Sequence, residues 1–225
     1  MRTVVVLNGG PVVDGPLRVP DLLGEGRPDL VVAADSGLHL GAALGLDVDV
    51  VVGDMDSVDP SLLAATERRG AQVRRAPSDK DLTDLELALD AALTHGAERV
   101  VVVGSSGGRL DHLLATVAVL ASPQWAAVAV DAALGSAQLH VVRGRRSLAC
   151  AVGETVSLLP VGGPALGVRT DGLRWVLDGE PLEAGAARGV SNETVADRVD
   201  VEVAAGCVVV VRPGVEESDG GGVRP

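Results

Sequence analysis

Pairs of aspartates suggest the first chemistry in this chain of 225 residues. Asp54 and Asp56 stand two residues apart in Gly-Asp-Met-Asp-Ser, residues 53–57, directly after a valine-rich run. Two carboxylates at this spacing, next to a glycine that allows a tight turn, can converge on one hard cation. Mg²⁺ takes a couple of carboxylates together with water and substrate phosphate. The alternative is an aspartate-rich turn that caps the next helix.

A second acidic motif surrounds Lys80, the single lysine of the chain. Asp81 and Asp84 belong to this motif, which leads into a run with helical spacing. A lysine can hold a phosphate as a point charge, but it can equally form a surface ion pair that contributes little stability. Aspartate and threonine are also ordinary residues of a helix N-terminus. This motif therefore leaves phosphate binding and helix capping open.

A third motif, Gly-Ser-Ser-Gly-Gly-Arg-Leu-Asp-His at 104–112, combines glycines with an arginine. Gly107, Gly108 and Arg109 stand where a predicted helix begins. Glycine-rich backbone at a helix N-terminus presents N–H groups to an anion, and arginine adds a guanidinium group. The motif is neither a Walker A sequence nor GxGxxG, so an ordinary strand-to-helix turn is an equal alternative.

The elements that must position these motifs alternate in type. Valine-rich runs typical of buried parallel strands alternate with helical patterns through the first part of the chain. The predicted strands are 3–7, 30–34, 48–52, 72–74 and 99–103, and the predicted helices are 38–44, 61–69, 82–95 and 110–120. This alternation predicts an α/β domain with a Rossmann-like, mostly parallel sheet.

A fourth motif, Asp35-Ser36-Gly37, also follows a predicted strand. All four motifs thus lie after strands or at the beginnings of the helices that follow them. The carboxyl ends of parallel strands lie at one edge of a sheet, where ligands bind. Carboxylates for a metal, a glycine-rich turn and an arginine at one edge predict nucleotide phosphate chemistry.

After about residue 130 the pattern changes to short runs separated by Gly, Pro or Asp. These runs are 138–143, 147–152, 155–159, 167–170, 173–177, 189–194, 199–203 and 207–211. Short strands at near-regular spacing predict an antiparallel β-sandwich. We therefore expect an α/β domain over 1–133, a sandwich domain over 134–215 and a disordered tail over 216–225.

Seven segments, taken in order, resemble the thiamine pyrophosphokinase (thiamine diphosphokinase) family. The first part of the chain contributes Ala-Asp-Ser-Gly, Gly-Asp-Met-Asp-Ser, Asp-Leu-Thr-Asp and Gly-Gly-Arg-Leu-Asp-His. The second part contributes Val-Ser-Leu-Leu-Pro, Gly-Leu-Arg-Trp and Val-Ser-Asn-Glu. The chain departs from the family pattern in four places. Ser36 replaces a glycine, His39 stands where asparagine is frequent, Val176 replaces a proline, and Ser105-Ser106 is more polar than the usual loop.

The resemblance implies that a pyrophosphoryl group passes from ATP to the hydroxyl of thiamine, releasing AMP. It implies Mg²⁺, a homodimer and a thiamine site where two subunits meet. The expected catalytic residues are Asp54, Asp56, Asp81 and Asp111, and the first three of these are the expected metal ligands. The expected ATP or phosphate contacts are Asp35, Ser36, Gly37, Lys80, Asp84, Gly107, Gly108 and Arg109. The expected thiamine contacts are Asp111, Trp175, Ser191 and Asn192.

Thiamine is a cation with two aromatic rings, so carboxylates and an indole face suit it. The residues leave open whether Asp81 or Asp111 accepts the hydroxyl proton. Another Mg²⁺-dependent phosphotransferase is one alternative function. A non-catalytic protein that binds thiamine or a nucleotide is another.

Composition argues against other classes of partner. The chain has 31 acidic and 19 basic residues, a net charge of −12, no Phe or Tyr and two Trp, which argues against nucleic-acid binding. It contains no apolar stretch of about 18 residues, so we expect no membrane span. Cys150 and Cys207 lie far apart, and they predict reduced thiols in the cytoplasm.

Overall fold

Residues 2–10, 22–23, 27–79 and 81–214 are described by the computed structural model of this chain. Lys80 and the tail predicted over 216–225 lie outside the described residues. No helix in the described ranges is both long enough and apolar enough to cross a membrane.

The first part of the chain forms the parallel portion of a ten-stranded sheet. Its strands are β1 (Thr3–Leu7), β2 (Leu30–Ala34), β3 (Val50–Gly53), β4 (Gln72–Arg75), β5 (Arg99–Gly104) and β6 (Ala129–Leu134). The helices are α1 (Gly37–Leu44), α2 (Pro60–Arg68), α3 (Asp84–Thr94) and α4 (Leu110–Leu120). These strands lie in the order β6-β5-β1-β2-β3-β4, and every neighbouring pair is parallel.

Strand β1 shows why the valine-rich runs form this sheet. Val4 and Val6 pack in the apolar cluster that includes α3, whereas Val5 and Leu7 pack in the cluster that includes α1. Successive strand side chains point to opposite faces, so an unbroken apolar run buries both faces at once. Helices therefore cover the sheet on both sides, and polar groups collect at its edge.

The second part of the chain is antiparallel and forms two packed layers. The ten-stranded sheet continues beyond β6 with β7 (Ala137–Val142), β14 (Val208–Arg212), β9 (Thr155–Pro160) and β12 (Asn192–Glu193). The second sheet contains β8 (Arg145–Ala149), β10 (Ala165–Asp171), β11 (Asp178–Leu182) and β13 (Arg198–Glu202), in the order β11-β10-β13-β8. Val142, Leu158 and Val201 belong to the apolar core of this portion. The predicted fold class, a mostly parallel α/β sheet with an antiparallel sandwich, is confirmed.

One sheet runs through both halves of the molecule. The hairpin of β6 and β7 turns at Gly135 and Ser136, inside the region where the sequence pattern changes. Strand β6 is parallel to β5 and antiparallel to β7. The two halves are therefore joined by backbone hydrogen bonds of a continuous sheet.

The strand predicted over 173–177 is wrong. Leu173 forms an isolated bridge with Thr194, and β11 begins only at Asp178. The side chain of Asn192 bonds to the backbone of Trp175 on both sides, accepting from its N–H at 3.1 Å and donating to its C=O at 2.8 Å. A side chain thus satisfies the backbone groups that a neighbouring strand would otherwise satisfy.

Two other predicted elements are shorter than expected. The strand predicted over 189–194 is reduced to β12, because Ser191 has a φ of 58° and leaves the extended region. The helix predicted over 82–95 begins at Asp84, because Thr83 caps it through a reciprocal capping box with Glu86.

Candidate active site

Polar segments meet at the carboxyl ends of four neighbouring parallel strands. Strands β5, β1, β2 and β3 are consecutive in the sheet. The glycine-rich loop, Asn8, Asp35 and Asp54 follow these strands in that order. Gly104 lies against Asn8, since a Cβ placed on this glycine would be 3.3 Å from the Cβ of Asn8. The predicted edge is therefore one continuous surface.

Three aspartates form a cluster at this edge, which we call the acid trio: Asp35, Asp54 and Asp56. One carboxylate oxygen of each lies within 4.8 Å of the others. Asp35 is buried, Asp54 is half-buried and Asp56 is exposed, so the trio opens from the protein interior to solvent. Oδ1 of Asp35 is buried without a hydrogen-bond partner among the described residues. A buried carboxylate oxygen without a hydrogen-bond donor has the chemistry of a ligand for a hard cation.

The backbone around the trio is held in uncommon conformations. Asp35 has a φ of 43°, and its N–H donates to the carbonyl of Val52 at 2.8 Å. Gly53 has a φ of 144°, and a Cβ placed there would lie 3.0 Å from the Cβ of Asp35 and 3.2 Å from Oδ1 of Asp84. Only glycine allows β3 to end so close to these two acids.

Asp84 is a fourth acid close to the trio. It is the first residue of α3, directly after the capping residue Thr83. Burial of the carboxyl, followed by the negative charges of Asp84, Asp56 and Asp54, raises the pKa of Asp35 above its ordinary value of 3.8. Like charges at this density favour either a shared proton or a bound cation. The donor set fits Mg²⁺, which binds carboxylates and water.

Asp81, expected among the metal ligands, lies outside the trio. It is exposed and stands two residues before the cap of α3. Asp35, expected on the nucleotide side, contributes the third oxygen instead. Asp35 stands directly after a buried strand in the sequence, and the same position identified Asp54 as a candidate metal ligand.

The glycine-rich loop carries a paired arginine and aspartate. Arg109 precedes the first turn of α4, and its guanidinium donates to both carboxylate oxygens of Asp111, at 2.5 and 3.2 Å. The hydrogen bond with Arg109 is the main cause that lowers the pKa of Asp111. Gly107 donates its N–H to Oγ of Ser105 at 2.9 Å. Both charged side chains are exposed, so an incoming ligand can reach either of them.

Ser36 and Gly37 lie where α1 meets the end of β1. Gly37 is buried, and a Cβ placed on it would lie 2.0 Å from the carbonyl oxygen of Leu7. Oγ of Ser36 lies 2.5 Å from the position of a Cβ on Gly9. These glycines allow a close approach of the backbone, which is a packing role whether or not they also contact a phosphate.

A second polar and aromatic surface lies in the sandwich. Trp175 is 58% exposed, and the guanidinium of Arg174 lies 5.6 Å from the centre of its ring. Asn192, which is buried, holds the backbone of Trp175 through its side-chain amide. Ser191 donates its N–H to Oγ of Ser157 at 3.0 Å. The structure therefore brings Trp175, Ser191 and Asn192 together.

A cavity of about 500 Å³ lies beside Trp175. Arg188 and Asn192 are among its other lining residues. Its mixture of indole, arginine and amide groups is typical of a small-molecule site with a few polar contacts. Asn192 contributes mainly by fixing Trp175, because its carbonyl oxygen accepts from both Trp175 and Glu193.

Strand order separates the Trp175 surface from the acid trio within one chain. Trp175 adjoins β12, which is at one end of the ten-stranded sheet, and Asp35 follows β2. Seven strand spacings separate β12 from β2, or about 34 Å measured along the sheet. Asp111 lies in the first turn of α4, directly after the glycine-rich loop at the edge that carries the trio.

Two histidines that the sequence left without a role make specific contacts. His39 accepts a hydrogen bond from the N–H of Asp59 at 3.1 Å through Nε2. His140 is buried, and its Nδ1 lies 2.8 Å from Oδ1 of Asp131. No spacing pattern connects either histidine with its partner, so only the folded structure identifies these pairs.

Two family models match this chain. Thiamin pyrophosphokinase, catalytic domain, matches residues 26–130. Thiamin pyrophosphokinase, vitamin B1 binding domain, matches residues 139–208. The first range contains the acid trio and the glycine-rich loop, and the second contains the Trp175 surface.

Curated relatives carry the same name. A protein of Oryza sativa subsp. japonica named thiamine pyrophosphokinase 1 is 28% identical over 180 residues, which cover 75% of this chain and 66% of that protein. Thiamine pyrophosphokinase of Bacillus subtilis (strain 168) is 31% identical over 121 residues, which cover 53% of this chain and 55% of that protein. The matched part of the chain thus spans between about half and two thirds of these relatives.

Solved structures share the fold. The crystal structure of thiamine pyrophosphokinase from Bacillus subtilis superposes with a TM-score of 0.78 at 23% identity, covering 95% of this chain and 100% of that one. Thiamin pyrophosphokinase from Candida albicans superposes with a TM-score of 0.72 at 17% identity, covering 93% of this chain and 88% of that one. At these identities the likeness is evidence for the fold.

Proposed function

The chain belongs to the thiamin pyrophosphokinase family, and we propose that it transfers the pyrophosphoryl group of ATP to the hydroxyl of thiamine. The products are thiamine diphosphate and AMP. The observation that carries this proposal is the acid trio, which lies beside a glycine-rich loop at the carboxyl edge of a parallel sheet. Transfer of this kind depends on positioning and charge neutralisation more than on covalent chemistry by the protein.

The trio is the proposed Mg²⁺ site. Asp35, Asp54 and Asp56 would hold the ion, and the buried Oδ1 of Asp35 supports this assignment. Mg²⁺ bound there would neutralise phosphate charge that the acidic protein otherwise repels. Asp84 adds negative charge from the beginning of α3 and favours a cation at the same place. Asp81 is proposed to act near the phosphates from its exposed position, outside the trio.

The glycine-rich loop is the proposed contact with ATP phosphates. Gly107 and Gly108 lie before α4, and Arg109 supplies a guanidinium suited to a phosphate oxygen pair. Contact with phosphate would draw Arg109 away from Asp111 and release that carboxylate toward thiamine. Asp111 and Asp81 are the two candidates for accepting the hydroxyl proton of thiamine.

The Trp175 surface is the proposed thiamine site. The exposed indole of Trp175 suits a cationic aromatic ring. The guanidinium of Arg174 already lies over this ring, which is the kind of cation contact that thiamine would make. Asn192 holds the tryptophan backbone in place, and Ser191 lies beside it in the lining of a smaller adjoining cavity. The donated group must then come from phosphates bound near the acid trio.

We propose a homodimer because these two surfaces are about 34 Å apart along the sheet of one chain. A second subunit can supply the missing half of each site. Exposed apolar side chains are present on both sides of such an interface. Leu110 and Leu114 are 67% and 62% exposed on α4, next to Asp111, and Val176 is 56% exposed next to Trp175.

The proposed location is the cytoplasm. Neither Cys150 nor Cys207 is in a disulfide, which suits a reducing compartment. Burial raises the pKa of the Cys207 thiol, so this cysteine is an unreactive core residue.

The direct test is to incubate the purified chain with Mg²⁺, ATP and thiamine and to separate the products by chromatography. We expect AMP and thiamine diphosphate in equal amounts. Formation of ADP would indicate a different phosphotransferase, and thiamine binding without turnover would indicate a non-catalytic protein. Either result would contradict the proposal.

A pair of variants connects the activity with the trio. Asp56→Asn removes one exposed carboxylate of the trio, and we expect it to fold normally and to lose turnover. Asp90→Asn removes an exposed carboxylate on α3 and serves as the matched control, with activity unchanged. Near-normal activity of Asp56→Asn would refute its role in holding the metal.

A further inference from the structure

His39 connects the two segments that carry the acid trio. It lies in the first turn of α1, four residues after Asp35. Its Nε2 accepts the N–H of Asp59 at 3.1 Å. Asp59 ends the loop that contains Asp54 and Asp56, and it caps α2 through its own carboxylate. One hydrogen bond thus joins the segment after β2 to the segment after β3.

The donor in this bond fixes the state of the imidazole. A backbone N–H can only donate, so Nε2 of His39 must be unprotonated and the ring proton must lie on Nδ1. The imidazole therefore acts here as a neutral acceptor. His39 is half-buried, and its ring bridges α1 and the loop.

The trio needs such a connection because its members repel one another. Three carboxylate oxygens lie within 4.8 Å, and Asp84 adds a fourth negative charge nearby. The loop also contains Met55 with a φ of 66°, a conformation that costs energy for a side chain of this size. Repulsion favours separation of the two segments, and backbone strain favours a different conformation of the loop. A bond between them opposes that separation.

We propose that His39 is a positioning residue that holds Asp54 and Asp56 at the distance from Asp35 that a divalent cation requires. This inference rests on the proposed metal role of the trio. In this role His39 itself touches neither substrate nor metal. It acts through the backbone of Asp59.

The test compares an acceptor with a non-acceptor at position 39. His39→Leu keeps a side chain of moderate volume and removes the acceptor. His39→Gln restores an acceptor at the same number of bonds from the backbone as Nε2. His95→Leu alters a histidine at the end of α3, far along the chain from the trio, and is the matched control. Mn²⁺ serves as the probe, and the free ion is counted by electron paramagnetic resonance.

We expect His39→Leu to weaken Mn²⁺ binding by about tenfold, the lower end of the loss when a direct partner of a metal ligand is removed, because His39 acts one step further away. His39→Gln should bind within about threefold of the unaltered chain, since it preserves one hydrogen bond of ordinary strength. His95→Leu should bind as the unaltered chain does. The KM for Mg·ATP should rise most in His39→Leu, little in His39→Gln and not at all in His95→Leu. Changes in kcat should be smaller. His39→Ala replaces His39→Leu in the comparison if the leucine variant does not fold.

Three outcomes would overturn this inference in different ways. Equal Mn²⁺ affinities for the leucine, glutamine and unaltered chains would overturn the role of His39 alone. Absence of Mn²⁺ binding by the unaltered chain would overturn the metal role of the trio, and with it the premise of this inference. Weak binding by both substituted chains would show that the imidazole acts by its shape and not as an acceptor, which also contradicts the proposal.

Discussion

Strained residues mark both halves of the proposed site. Among the described residues, the non-glycine positions with positive φ are Asp35, Met55 and Ser191. The first two belong to the acid trio or its loop, and Ser191 lies beside Trp175. Such conformations persist only where surrounding contacts impose them. The hydrogen bonds of Asp35 to Val52 and of Ser191 to Ser157 are contacts of that kind.

Asp35→Asn should raise the stability of the metal-free chain and abolish metal binding. Burial and the neighbouring acids raise the pKa of Asp35, so ionising this carboxyl costs more free energy in the folded chain than in the unfolded chain. The stability connected with this group is present below pH 3.8 and is lost as the pH rises through the folded pKa. Replacement by a neutral amide removes that cost at pH 7. We expect the Tm of the metal-free variant to rise, while the Tm increase on adding Mg²⁺ disappears.

Thermal melts at pH 7, with EDTA and with millimolar Mg²⁺, measure both effects. Asp90→Asn is again the matched control, and its response to Mg²⁺ should equal that of the unaltered chain. A lower Tm for metal-free Asp35→Asn would show that the carboxylate stabilises the fold. In that case the interpretation of its burial as a ligand position would be wrong.

At the scale of elements, Gly37→Ala should disrupt the contact of α1 with the sheet. A Cβ at this position would lie 2.0 Å from the carbonyl oxygen of Leu7, which belongs to the backbone of β1 and cannot rotate away. Overpacking costs about 1–3 kcal/mol in the free energy of unfolding, and a contact with rigid backbone places this variant at the upper end of that range. Urea denaturation of the variant measures the loss.

Gly45→Asn is the control on the same helix. Gly45 follows α1 with a φ of 65° and has open space around the position of a Cβ. Asparagine tolerates this conformation, so we expect a cost below about 1 kcal/mol. Equal costs for the two variants would contradict the close approach of α1 to β1. A stable Gly37→Ala that lost only ATP binding would instead favour a direct phosphate contact.

The sequence predicts most of the elements because the dominant forces are local and repetitive. Valine-rich runs identify β1, β2, β3 and β5, and leucine spacing identifies α3. Gly53 and the aspartates after it also stand out in the sequence. Prediction of these elements succeeds because the spacing of apolar residues along a short segment shows both its secondary structure and its buried face.

The contacts that were not predicted join residues far apart in the chain. Asn192 replaces a strand partner for Trp175, so a segment that resembles a strand is a loop. Asp35, not Asp81, contributes the third oxygen of the trio, because β2 lies next to β3. His39 meets Asp59 for the same reason. Spacing along the sequence cannot predict these contacts, because they depend on which strands are neighbours in the sheets.

At the scale of the whole molecule, a buried ionic cluster joins the two halves. Asp131 of β6 is fully buried and bonds to Arg99 of β5, His140 of β7 and Arg146 of β8. Burial opposes its ionisation, yet the hydrogen bond with His140 and the charge of Arg146 hold the pKa of Asp131 well below its ordinary value. The cluster thus links the parallel sheet, the antiparallel strands and the second layer of the sandwich.

Asp131→Asn should weaken this junction. Loss of the carboxylate leaves the Arg99 and Arg146 charges without their partner, which costs about 3–5 kcal/mol in the free energy of unfolding. Because the folded pKa is depressed, the contribution of Asp131 is complete above pH 3.8 and is lost only as the pH falls below that value. Urea unfolding should show the full deficit at pH 7 and a smaller one at pH 3. A deficit that stays constant across this range would contradict the ionic role of Asp131.

The separation of the trio from Trp175 has a consequence that mixed dimers can test. Asp56→Asn damages the half of the site with the trio, and Trp175→Ala damages the half with the indole. If each site combines the two halves from different subunits, a mixed dimer has one site with both changes and one with neither. Equal mixing with free exchange gives about half mixed dimers, so about a quarter of the original activity should return.

The assay uses thiamine at a concentration below its KM. Under this condition Trp175→Ala alone has almost no activity, because it loses the indole contact with thiamine. The chains are mixed, unfolded in urea and refolded together, so that subunits redistribute. A mixture of Asp56→Asn with Asp54→Asn is the matched control, because both changes lie in the same half and no mixed dimer then contains an intact site. Recovery in the first mixture alone supports composite sites. Absence of recovery in both mixtures, although mixed dimers are detected by mass spectrometry, would mean that one subunit contains the whole site and that the sheet brings its ends closer than strand order implies.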